Sequence, residues 1–288
     1  MIRLLIGTVL VAASVAAHAG AAERVDLELV LLADASGSID DSEIHFQRQG
    51  YAAAITHPEI LGAIAQGYDQ RIAVTYVEWG GTSSQEVVVP WTIIDGPESA
   101  AAFAKGLLET PRRASGRNAI GNAIAVGQGL IETNDIAGAR RVIDVSADSA
   151  NNWGGISIAE ARQTALAADM VINGLAILCR RCSGRPNAYD LEAAFAERII
   201  GGPASFVIRA DGDARFAEAV RKKLLLEIAG TRPAPGAGIR LAAKADGPDP
   251  KAPGALTGSA RQQFSTTGEA KIRRQPAEAT GDRRSWMR

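Results

Sequence analysis

The run Asp34-Ala35-Ser36-Gly37-Ser38 puts a carboxylate and two hydroxyls within five residues, directly after the apolar stretch Val25–Ala33. A second acid, in Ala147-Asp148-Ser149, follows another apolar stretch, Arg141–Ser146, and between them Gly116-Arg117-Asn118 opens an amphipathic segment. Brought together, Asp34, Ser36, Ser38, Asn118 and Asp148 would offer carboxylate, hydroxyl and amide oxygens, with no Cys or His. An oxygen-only set suits a hard cation such as Mg²⁺, Mn²⁺ or Ca²⁺, with Mg²⁺ first among them. Zinc is the poorer match because it prefers nitrogen and sulfur ligands. Gly37 lets the backbone turn sharply, so that Ser36 and Ser38 can both point inward. The same residue types also serve as turns and N-caps after a strand. The reading therefore depends on which elements carry them.

Other chemistry finds less support. Cys179 and Cys182 form Cys-Arg-Arg-Cys after the apolar stretch Met170–Leu178. A local disulfide is expected in an oxidising compartment. A redox site needs such a motif at a helix start, and here Ser-Gly-Arg-Pro follows. Of three histidines, His45 and His57 lie on or near the first helical segment and away from strand ends. A Ser-His-Asp triad is therefore not supported, and neither a Gly-x-Ser-x-Gly elbow nor a phosphate-binding glycine fingerprint is present. The chain is expected not to be an enzyme. Trp79 and Trp153 fall near the candidate site, where either packing or lining the crevice is open.

These residues need a scaffold, and the pattern supplies one. Strand-like runs at Val25–Ala33, Arg71–Trp79, Glu86–Ile94, Arg141–Ser146, Met170–Leu178 and Ser205–Arg209 alternate with helical segments. The helical segments are Asp40–Ile64, Glu98–Leu108, Ala119–Glu132, Ile158–Ala168, Tyr189–Ile200 and Arg215–Ile228. Asp40 and Glu43 are spaced as a capping box. Pro90 confines Glu86–Ile94 to a sheet edge. The alternation predicts an α/β three-layer sandwich, a mostly parallel central sheet with helices on both faces. Ligands then bind beyond the carboxyl ends of the strands, near the switch in strand order.

The 288 residues divide unevenly. Residues 1–22 read as a signal peptide: Arg3 precedes the apolar run Leu4–Ala17, and Ala17-His18-Ala19 fits small-x-small cleavage. No later run is long and apolar enough to span a bilayer. Residues 231–288 are rich in Pro, Gly and Ala and are expected to be disordered. The net charge of −1 conceals +6 on 231–288 against −8 on 23–230. That balance gives no support for nucleic-acid binding by the body. The basic tail suits electrostatic contact with anionic envelope components.

Asp-x-Ser-x-Ser at the end of an apolar first strand resembles the metal-ion-dependent adhesion site (MIDAS) of von Willebrand factor A (vWA) domains. SGRNAIGNAI (115–124) stands where such domains have a Gly-x-Thr-x-x-x-x-Ala segment, and VIDVSADSANN (142–152) where they have an apolar strand ending in Asp. With VDLELVLLADASGSID and VTYVEW, these runs resemble in particular the uncharacterised exported bacterial DUF1194 branch, over about residues 25–230. The resemblance implies a vWA/Rossmann-like fold and a metal site at Asp34, Ser36, Ser38 and Asp148, with Asn118 at the Thr position. It implies an exported adhesion or scaffold module, periplasmic or secreted, whose metal meets a carboxylate on a protein partner. A metal-dependent hydrolase and a degenerate domain without metal are the alternatives.

Overall fold

The computed structural model describes residues 22–178, 190–211, 213–230 and 239–241. In chain order the elements are β1 (Glu23–Val25), β2 (Leu27–Asp34), α1 (Asp41–Ile55), α2 (Pro58–Ala65), β3 (Ile72–Trp79) and β4 (Gln85–Ile94). There follow α3 (Pro97–Glu109), α4 (Ile120–Glu132), β5 (Ile136–Gly138), β6 (Arg141–Ala147), α5 (Ile158–Ala167) and β7 (Val171–Leu178). The last are α6 (Leu191–Arg198), β8 (Phe206–Asp211), α7 (Asp213–Ala229) and β9 (Ile239–Leu241).

A seven-stranded sheet has the order β4-β3-β2-β6-β7-β8-β9. The strands β3, β2, β6, β7 and β8 run parallel. The antiparallel strands β4 and β9 form the two edges. Pro90 indeed lies on an edge strand, where its missing N–H breaks no ladder. Every residue of β2 is buried. Its alternate side chains feed two cores: Leu27, Leu29, Leu31 and Ala33 meet Tyr51, Ile60, Phe103 and Val220, from α1, α2, α3 and α7. Val30 and Leu32 meet Ile124, Ala161 and Phe195, from α4, α5 and α6. The fold is the expected three-layer α/β sandwich.

Two boundaries differ from expectation. The stretch Val25–Ala33 is not one strand. It breaks at Asp26, whose Oδ1 accepts the Tyr68 and Asp69 N–H groups at 2.9 and 3.1 Å. Upstream of the break, β1 pairs with β5 in a separate two-stranded sheet. Asp40–Ile64 is not one helix either. Pro58 begins α2, and the residue before a proline is disfavoured in helical backbone. His57 is therefore extended and caps α2 through Nδ1, 3.2 Å from the Glu59 N–H. The Asp40–Glu43 capping box at the start of α1 forms as expected, with both bonds at 2.9 Å.

The core side facing α7 also holds charge. Lys223 of α7 pairs with Asp144 of β6 and with Glu227 one turn on, all with fully buried side chains. Asn173 of β7 donates to Glu227 at 3.2 Å. Burial pulls the Lys223 ammonium below its ordinary pKa, and Glu227 opposes that.

By contacts the chain divides into Met1–Ala245 and Asp246–Arg288. The segment 231–288, expected to be disordered, contributes β9 to the sheet; the rest of it lies outside the described residues. So do residues 1–21 of the expected leader and both Cys179 and Cys182. Among the described residues no helix is long and apolar enough to cross a membrane.

Candidate metal centre

The neighbouring strands β2 and β6 flank the point where strand order reverses. Crevices at such points gather the loops that leave the strands' carboxyl ends. Asp34 is the last residue of β2, and Asp148 directly follows β6. The topology thus brings the two sequence-distant acids to one crevice.

Three loops close around them. In the first, the Ser36 N–H donates to Asp34 Oδ1 at 2.8 Å, and the Ser36 and Ser38 hydroxyls are 3.3 Å apart. Asp34 and Ser36 are fully buried, while Ser38 is exposed. In the second loop, Gly116 O accepts the Gly37 N–H at 2.8 Å, which ties the segment before α4 to the first loop. Gly116 has φ +106°, a conformation glycine adopts readily. Gly80 also has to be small, since a Cβ there would lie 2.3 Å from Ser115 O. The third loop is joined through Asn118, whose Nδ2 donates to Ser149 Oγ at 2.8 Å. With its nitrogen so engaged, Asn118 keeps Oδ1 as the atom that can meet a cation.

Asp34 is the electrostatic centre of the group. Its Oδ2 is buried without a hydrogen bond of normal geometry. Burial, and then the charge of Asp148, push its carboxyl up to about 7; hydrogen bonding from Ser36 and Asp148 opposes the rise. A fully buried carboxylate beside the charge of a second, half-buried one is stabilised by a proton or a cation. Among the described residues no three His, Cys, Asp or Glu side chains cluster as metal ligands. An ion here would accordingly rest on the two acids together with the hydroxyl and amide oxygens. Such hard oxygen donors fit a divalent cation.

One residue that the sequence reading passed over holds the loops together. Arg112 donates from Nη2 to Ala35 O at 2.7 Å and, more weakly, to Ser36 O at 3.5 Å. Its Nε reaches Ala114 O at 3.2 Å and its Nη1 reaches Asp41 Oδ1 at 2.9 Å. A single guanidinium thereby links the first loop, the start of α1 and the segment leading to Asn118. Only its place in the Pro-Arg-Arg run beside Ser-Gly-Arg-Asn marks it in the sequence.

The tryptophans divide between the two readings left open. Trp79 is fully buried in the core, whereas Trp153 is 58% exposed at the rim. His45 is exposed and bonds Gln49, so neither it nor the capping His57 joins the site.

A family model described as "Protein of unknown function (DUF1194)" matches residues 24–232. The sequence matches no curated protein. Among solved structures, the pilus adhesin SpaC from Lactobacillus rhamnosus GG in its open conformation superposes with TM-score 0.52 at 12% identity, over 71% of this chain and 30% of that one. Proximal thread matrix protein 1 from the mussel byssus, with a zinc-occupied MIDAS motif, gives 0.51 at 12% identity, over 72% of this chain and 49% of that one. A von Willebrand factor type A structure from Catenulispora acidiphila gives 0.48 at 16% identity, over 71% and 43%. The chain thus spans about half or less of the length of these structures. At such identities the likeness is one of fold.

Proposed function

Since the chain belongs to the DUF1194 family and has a von Willebrand factor A-type fold, we propose that it is a binding module that presents a divalent cation to a carboxylate on a protein partner. Asp34, Ser36, Ser38, Asn118 and Asp148 would hold the ion. The observation that carries this reading is the fully buried Asp34, with one oxygen lacking a normal hydrogen bond and the charge of Asp148 beside it. A bound cation supplies a Lewis-acidic position that an incoming carboxylate can occupy. The chain's own residues fix where that position lies. Ser36 orders the Asp34 carboxyl, Ser149 orients the Asn118 amide, and Arg112 clamps the loops that carry them. Asn118 stands where the usual pattern has Thr, and its longer, planar amide would weaken the site, rearrange it or shift its choice of ion. The mussel protein's zinc-occupied MIDAS supports a divalent ion in a fold of this kind. Arg3 with the apolar run after it supports export, to the periplasm or beyond, and the basic segment after residue 231 supports contact with anionic envelope components.

Calorimetric titration with Mg²⁺, Mn²⁺, Ca²⁺ and Zn²⁺ tests the site, and capture from an envelope extract with and without chelator tests the partner. Heat of binding from at least one ion and chelator-sensitive capture are expected. The absence of both heat and thermal shift for all four ions would remove the proposal.

Arg112 gives a sharper check. As a nearby cation it repels a metal, so charge alone predicts that Arg112→Gln tightens metal binding. As the clamp of two ligand-bearing loops it predicts the reverse, and outer-shell partners of this kind contribute about tenfold or more to metal affinity. A weaker metal dissociation constant in Arg112→Gln, with only partial recovery in Arg112→Lys, is the expected result of titrating the variants side by side.

A further inference from the structure

A pair of residues at the mouth of the site has no part in holding the cation. Trp153 is 58% exposed, although an indole buries most of its surface in an ordinary fold. Its backbone N–H donates to Asn118 O at 2.8 Å, which fixes it beside a proposed ligand. The Arg117 guanidinium lies over its ring, 4.5 Å from the centroid. Arg117 is itself exposed, and no salt bridge among the described residues includes it.

Stacking uses the flat face of a guanidinium and leaves its in-plane N–H groups for a carboxylate, which they can grip in two places. It also restrains a long side chain that would otherwise lose rotamer entropy on binding. Arg113 is exposed on the same loop, while residues 23–230 as a whole carry −8. An acidic ligand is therefore repelled by the body of the domain and attracted at this rim.

We propose that Arg117 and Trp153 form a second carboxylate subsite, and that the partner is an acidic protein segment with two carboxylates, one for the cation and one for Arg117. The inference rests on the divalent-cation reading and names the ligand for it. Two linked contacts bind more tightly than one because the second forms within the complex.

The full-length chain, loaded with the cation that titration selects, is titrated with capped Gly/Ser peptides carrying one Glu or two Glu separated by zero to four residues. Calorimetry reports binding. The best two-Glu peptide is expected to bind about tenfold more tightly than the one-Glu peptide. Arg117→Ala should erase that gain and leave cation binding intact, Arg117→Lys should recover part of it, and Trp153→Ala should reduce it. Equal binding of the two peptide classes to cation-loaded protein overturns the subsite and leaves the cation reading standing, as does a gain that survives Arg117→Ala. Tighter binding of a diphosphoserine peptide than of any two-Glu peptide overturns the assigned ligand class. Failure of the cation titration itself removes both.

Discussion

Asp34→Asn is expected to weaken divalent-cation binding on the order of a hundredfold, and yet to make the cation-free protein more stable at neutral pH. The two effects have one cause. Asp34 is fully buried beside the charge of Asp148, and its carboxyl is pushed up to about 7 from its ordinary value of 3.8. An acid whose pKa is raised by folding binds its proton more tightly in the folded state. Its contribution to stability is full below about pH 4 and is lost as pH rises through about 7. The cation-free wild type should therefore lose up to ~4 kcal/mol of stability between pH 4 and pH 7.5 from this group alone. Asparagine keeps an oxygen for the Ser36 N–H but has no charge to bury, so that loss should be absent. A bound cation replaces the proton and should also suppress it. Denaturant melts at pH 5 and pH 7.5, with and without chelator, test the linkage. A cation-free wild type whose stability changes with pH as Asp34→Asn does would sink it, whatever the titration gives.

The second large effect lies on the other side of the sheet. Lys223→Met is expected to cost about 3–5 kcal/mol, the usual consequence of removing one partner from a buried ion pair. Asp144 and Glu227 share that ammonium, and all three side chains are fully buried. Methionine fills the space but leaves two carboxylates with no cation in a dry core. For a domain of this size the melting temperature should fall by about 10 °C. Exchanging Asp144, Lys223 and Glu227 together for Leu, Met and Met removes the stranded charge with the cation, so most of the stability should return. Thermal melts of the single and triple variants decide the matter. A triple variant no more stable than Lys223→Met would show that packing, not charge, dominates this cluster.

The two clusters differ in how much the sequence disclosed. Asp34, Ser36 and Ser38 lie in one short run, so type and spacing revealed them together. Asp148 was legible because an apolar strand ends beside it, and Asn118 through its offset from Ala123. The fold class followed from alternating periods, since each strand and helix buries a face with its own repeat. Lys223 was hidden because it lies in Arg221-Lys222-Lys223, where only the facing of α7 decides which cation is buried. Arg112 left no pattern because most of its bonds reach backbone carbonyls, which every residue has. The break between α1 and α2 was readable from Pro58, but the apolar spacing on either side carried the periodicity across it. The pairing of β1 with β5 joins two three-residue strands, too short to show a period.

The edge strand β9 bears on where the chain can be cut. Its three residues pair with Phe206, Val207 and Ile208 of β8. Expression ending at Gly230 retains α7 and both cores. It would also remove the outer neighbour of β8 and leave the backbone groups of its buried, apolar Phe206–Ile208 edge unpaired. Such an edge is a template for another copy of the same chain. A truncated product that self-associates would thus report a missing strand, and a fragment carried past Leu241 is the better choice for crystallisation or binding work.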